Sequence, residues 1–176
     1  VLLRVGTPYR KVLADETARN IRRFMRVSLV VVVPLRGSTA DRVRLVVITK
    51  DVWSFIFDVD FHVTAGGPER LMIELEETNL AGRQVEVSAR SILQPESLSL
   101  GAAYVAPRFA GRFLSLHAEG NVIINRRSGS PEGSFGNAYL EKPLFSTLTN
   151  WSWATGVGWN DEVYRRYTNA AVAQYE

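Results

Sequence analysis

Trp53-Ser54-Phe55-Ile56-Phe57-Asp58-Val59-Asp60-Phe61-His62-Val63 is the stretch on which the fold turns. Every odd position is apolar, and the even positions are polar apart from Ile56. Successive strand side chains point to opposite faces, so this alternation predicts a strand with one greasy and one wet face. Strands of soluble domains average ~5–6 residues, whereas a tilted strand that crosses a bilayer needs ~9–11. The length therefore points to a membrane-spanning strand.

Downstream, the same pattern returns between turns. Residues 70–78 alternate Leu71, Ile73 and Leu75 against Glu74 and Glu76. Residues 84–91 alternate Val85, Val87 and Ala89 against Glu86, Ser88 and Arg90. Residues 97–106, 112–124, 134–142 and 148–159 read as further strands, the fifth losing its pattern near Val122-Ile123-Ile124. In the last of these Trp151, Trp153, Val157 and Trp159 share a face opposite Ser152, Ala154, Gly156 and Gly158. Residues that small cannot fill a core. Aromatics backed by glycine fit a wall with lipid on one side and water on the other, and Trp151, Trp153 and Trp159 are candidate membrane-interface aromatics. Residues 161–176 are expected to start an eighth strand.

If the first strand climbs from the side of the preceding segment, the turns at 79–83, 107–111 and 143–147 share that side. The longest loop expected, 125–133, falls on the other, in partial agreement with the short periplasmic turns and long outer loops of bacterial barrels.

Upstream, Val12, Leu13, Ala18, Ile21, Phe24 and Met25 recur at helical spacings within residues 10–25. Arg10, Lys11, Arg19, Arg22, Arg23 and Arg26 fall largely off that stripe and read as a solvated face. Residues 27–33 form a β-branched strand that Pro34 is expected to close. Residues 36–41 are a turn, and 42–49 form a second strand. One helix on a hairpin is a small core, and the chain opens on Val1, so a module truncated at its N-terminus is expected. The reading is of two parts without a flexible linker: residues 1–51, and residues 52–176.

Composition narrows the function classes. No run approaches the ~18 apolar residues of a transmembrane helix. With no cysteine, thiolate metal sites, a cysteine nucleophile and disulfides are excluded. A net charge of +3 without a long basic block gives no basis for nucleic-acid binding. His62 and His117 are the only histidines and lack partners at metal-ligand spacing. Asp58, Asp60, Glu74 and Glu76 read as a solvated wall rather than an acid–base pair. No nucleophile elbow or phosphate loop is present, and Asn150-Trp151-Ser152, a glycosylation sequon by pattern, lies in an expected strand. The residues give no enzyme and no cofactor.

Several segments together resemble a known family. Val12-Leu13-Ala14-Asp15-Glu16-Thr17-Ala18-Arg19-Asn20-Ile21-Arg22, the hairpin, and Thr49-Lys50-Asp51-Val52-Trp53 resemble the end of a polypeptide-transport-associated (POTRA) domain. Glu76-Glu77-Thr78-Asn79-Leu80-Ala81-Gly82-Arg83, Tyr104-Val105-Ala106-Pro107-Arg108-Phe109 and Leu140-Glu141-Lys142-Pro143-Leu144-Phe145 resemble strands and turns of a BamA-like barrel. The resemblance implies a mainly β chain: a truncated POTRA-like periplasmic helix–hairpin module, then an antiparallel transmembrane β-meander forming part of an outer-membrane β-barrel. It implies insertion of β-barrel proteins into the bacterial outer membrane, or translocation of polypeptides across it, through a laterally gated barrel. The partners implied are unfolded or extended polypeptide clients, outer-membrane lipid and accessory lipoproteins. By position, Trp53, Phe55, Phe57, Val59, Phe61 and Val63 would belong to the gate strand on which clients pair. Assembly factor, secretion transporter and lipase-fused barrel stay open as subfamilies, and a soluble β-rich binding module is the alternative from the alternation alone.

Overall fold

The computed structural model describes residues 3, 5–24, 27–147, 149–163, 165–168 and 171–175, the last two stretches by backbone alone. The chain is mainly β, with antiparallel pairing throughout its three sheets.

Helix α1 (Lys11–Phe24) contains neither glycine nor proline and ends on Arg22 and Arg23, which suit the negative end of the helix dipole. Its first turn closes on Arg10, whose carbonyl accepts from the Leu13 and Ala14 amides at 3.0 and 3.2 Å. Of the expected apolar stripe, Leu13, Ala18 and Ile21 are half-buried, and the Phe24 side chain lies outside the described residues. Ala14, Glu16, Thr17 and Asn20 are the buried residues, while Val12 is 57% exposed. Met25 and Arg26 lie outside the described residues. The arginines are not simply solvated either: Arg22 donates to the Val30 carbonyl at 2.8 Å, Arg23 to the Leu144 carbonyl at 2.7 Å, and Arg19 pairs with Glu16.

Strands β1 (Val27–Arg36) and β2 (Val43–Asp51) form a hairpin beneath α1, with Val30 fully buried. Pro34 does not close β1. It pairs with Leu45 inside the strand, which an edge strand tolerates because its outward amide has no partner to lose. At Gly37 a side chain would collide with the Arg42 backbone, and the Gly37 amide donates to the Arg42 carbonyl at 2.9 Å.

The remaining strands form one seven-stranded meander in sequence order. They are β3 (Phe55–Thr64), β4 (Gly67–Glu77), β5 (Glu86–Leu93), β6 (Ser97–Ala106), β7 (Ser115–Asn125), β8 (Pro131–Lys142) and β9 (Trp153–Asp161). The expected strands are all present, with shifted ends. Trp53 and Ser54 precede the ladder: the Ser54 carbonyl is taken by the Thr78 amide and hydroxyl at 2.9 and 3.0 Å. Leu148, expected to open the last strand, is outside the described residues, and that strand begins only at Trp153.

Register keeps the two faces separate across the whole sheet. One row of partners runs Asp58, Glu74, Arg90, Gly101, Asn121, Phe135, Asn160. The adjacent row, on the other face, runs Phe57, Leu75, Ala89, Ala102, Gly120, Gly136, Trp159.

The sheet is open, with β3 and β9 as its two edges, and expectations about its further strands and connections need correction. Seven strands fall short of the ~8 that the smallest membrane barrels require. Strands do form beyond Asp161, but among the described residues β10 (Arg165–Thr168) and β11 (Ala171–Tyr175) pair with each other and not with this sheet. Finally, the long loop expected at 125–133 shrinks to residues 126–130, because β8 starts at Pro131 across a bulge at Ile123/Ile124. The long connections are 78–85, 107–114 and 143–152, all at the end of the sheet where α1 sits, the reverse of the expected short turns on that side.

Candidate functional site

The face carrying Phe57 is apolar and exposed. Phe55, Phe57, Val59, Phe61 and Val63 all stand on it, exposed by 43 to 69%. Ile73, Leu75, Leu100, Tyr104, Val122, Trp153, Val157 and Trp159 continue the exposed apolar surface across the sheet. The opposite face is polar yet more shielded: Ser88, Ser99 and Asn121 are buried there. Nothing described covers the apolar face, and an apolar patch of this extent on a monomer marks a surface that meets lipid or protein.

The polar face is organised by charge pairs. Arg90 grips Glu74 through two bonds of 3.0 and 3.1 Å, Arg70 pairs with Asp60 at 2.9 Å, and Asn137 donates to Glu119. Asp60 and Glu74 are therefore matched by arginines on neighbouring positions rather than set up as acid and base. His117 stacks on Tyr139 with ring centroids 4.4 Å apart, and His62 lies 3.6 Å from Glu69. Among the described residues no group of three or more His, Asp or Glu side chains could hold a metal ion.

Strand β3 pairs with β4 alone. Its second edge has backbone donors and acceptors with no strand beside them, and such an edge is a template for another chain. Of the six residues expected on the gate strand, five lie on β3 and one face, while Trp53 stands before it, 83% exposed.

The three candidate interface tryptophans separate. Trp153 and Trp159 lie on the apolar face near opposite ends of β9, ~20 Å apart at ~3.4 Å per residue. Trp159 lies against Gly136 and near Gly120, and its indole N–H donates to Ser134 Oγ at 3.2 Å. Gly136 is buried, and the Trp159 ring occupies the space that a side chain there would need. Trp151 is not in the strand; it lies in the 143–152 connection, with the Lys142 ammonium 3.7 Å from its ring centre.

The sequence reading missed the contact that seats the helix. The Glu16 carboxylate, almost fully buried, accepts from the Thr147 amide at 2.8 Å and the Thr147 hydroxyl at 3.4 Å. That amide, more than any other partner, holds the Glu16 carboxyl below its usual pKa; Ser146 and Arg19 add to the effect. A cavity of about 470 Å³ opens between the end of α1 and the base of the sheet, lined by Arg22, Arg23, Glu86 and His117 among others.

Also missed was a repeated turn. Asn79-Leu80-Ala81-Gly82-Arg83 and Arg108-Phe109-Ala110-Gly111-Arg112 share their geometry up to the final arginine, with Ala81 at φ 53° and Ala110 at φ 52°, and part there, at ψ 2° for Arg83 and 172° for Arg112. The recurring Ala-Gly-Arg was the available signal; alanine in the left-handed region is not one.

No protein-family model matches this chain, and no curated protein matches its sequence.

Proposed function

We propose that this chain is the BamA-like segment its motifs resemble: residues 52–176 contribute strands of an outer-membrane β-barrel, and residues 1–51 are the end of a periplasmic POTRA-like domain. On this reading it inserts β-barrel proteins into the bacterial outer membrane or moves polypeptides across it. The observation that carries the proposal is β3, an edge strand whose apolar side chains are exposed. In hydrocarbon each unsatisfied backbone group costs several kcal/mol. An open edge beside lipid would therefore favour docking of an extended client strand, paired through its backbone and largely independent of its sequence.

The test is crosslinking. Cysteines at Phe55, Phe57 or Val59 in the chain carried in its barrel should form adducts with a nascent barrel client. Matched cysteines on the internal strand β6, at Leu100 or Ala102, should not. Adducts at β6 with none at β3 contradict the proposal.

A further inference from the structure

The two ends of the sheet treat their cations differently. At the end away from α1, Arg126 donates to the Gln94 and Pro95 carbonyls at 2.9 and 3.0 Å, and Arg127 pairs with Glu96 at 2.8 Å. At the α1 end, the connections 78–85, 107–114 and 143–152 contain no Asp or Glu. Their cations are Arg83, Arg108 and Arg112, joined by Lys142 at the last position of β8. Among the described residues none of these four forms an ion pair. Two rest on aromatic rings instead: Arg108 lies 4.1 Å from the centre of Phe113, itself stacked on Phe145, and Lys142 covers Trp151.

Each connection also exposes a large apolar side chain: Leu80, Phe109, and both Leu144 and Trp151. The twin turns place Leu80 before Arg83 and Phe109 before Arg112 at the same spacing, and their backbones agree up to the arginine. Lys142 pairs across to Trp153, so the last cation stands at the margin of the exposed apolar face itself. Cations without carboxylate partners, interleaved with exposed apolar and aromatic groups along the border of a greasy surface, match a membrane interface. There the apolar groups reach the acyl chains and the cations meet phosphate.

We propose that the α1-side turns form a binding belt for anionic phospholipid headgroups, with Arg83, Arg108, Arg112 and Lys142 as the phosphate-contacting groups. The occupant is the leaflet that faces the helix–hairpin unit. The belt sets the depth of the sheet in that leaflet, while the paired arginines at the far end do not take part. This inference rests on the membrane reading above.

The experiment reconstitutes the full chain into vesicles of phosphatidylcholine alone and of phosphatidylcholine with phosphatidylglycerol, and measures partition by flotation. Wild type should partition into both, about tenfold or more strongly into the anionic vesicles at low salt, with the gain shrinking in high salt. The variant R83Q/R108Q/R112Q/K142Q should keep the zwitterionic partition and lose the anionic gain, and R126Q/R127Q should keep both. Equal partition of wild type into the two vesicle types, or an anionic gain retained by the fourfold variant, overturns the headgroup belt and leaves the membrane reading standing. Failure of wild type to enter either vesicle overturns the membrane reading. A second measurement removes no charge. A nitroxide at Ala110 should be broadened by anionic lipids with paramagnetic headgroups more than one at Ser128; equal broadening overturns the belt.

Discussion

The two faces of the seven-stranded sheet share one backbone and one set of hydrogen bonds, yet follow opposite rules. On one face large side chains stand exposed, Phe57 by 61% and Val157 by 70%; on the other Ser99 and Asn121 are buried. In a soluble sheet the greasy face finds a cover and the polar face is left to water. Here the polar face is the one with internal partners, Glu74 on Arg90 and Asn137 on Glu119. The difference teaches that alternation alone does not say which face is inside. Exposure and pairing bear on it: in this sheet the polar side carries the partnered groups.

Substitutions can break that contrast, beginning with the largest effect. Val59→Arg places a charge halfway along β3 on the apolar face and should cost about 2–4 kcal/mol in lipid vesicles, measured by urea unfolding. Asp58→Asn, one residue away on the exposed part of the polar face, should stay within about 0.5 kcal/mol. Gly136→Val tests how closely the apolar face is fitted. Its side chain would meet the Trp159 ring and the Glu119 carbonyl, an overpacking worth about 1–3 kcal/mol, with Trp159 fluorescence shifting as the ring is displaced. Glu74→Ala tests the other face by leaving Arg90, only 33% exposed at its side chain, without its two-bond partner. The expected loss is about 1–2 kcal/mol, recovered in part by Arg90→Leu in the same chain.

The smallest effect concerns how the helix is seated. The Glu16 carboxyl is held below its ordinary pKa by the Thr147 amide. A carboxyl depressed in the folded state contributes stability that is fully present above its unfolded pKa and is lost as pH falls through the folded one. Docking of α1 on the 143–152 connection should therefore weaken only in acid, below the ordinary glutamate range. Crosslinking between cysteines on α1 and that connection should report it, and Glu16→Gln should remove that part of the pH dependence.

The faces of β3 to β9 were legible because a period of two is the direct signature of a strand and no turn interrupts it within an element. The strand ends were not. Ala81 and Ala110 take left-handed geometry that alanine does not advertise, and Pro131, which reads as loop, is tolerated as the first residue of a strand beside a bulge. Pro34 misled in the same way. The helix was legible in part: Leu13, Ala18 and Ile21 are half-buried as the stripe implies, but the burial of Glu16, Thr17 and Asn20 depends on the Thr147 amide, which no local pattern reveals. Trp153 and Trp159 could be placed from alternation, whereas Trp151, two residues upstream with the same parity, lies beyond the strand. The polar pairs needed register, which no single strand contains.

The central claim is that the apolar face meets lipid. Single nitroxides at each position from 55 to 63 in the reconstituted chain test it most directly, through collision with oxygen, which concentrates in hydrocarbon, and with a water-soluble nickel chelate. The account predicts oxygen maxima at 55, 57, 59, 61 and 63, with chelate maxima at 58, 60 and 62 in the opposite phase. Chelate access at the odd positions equal to that at the even ones would contradict it.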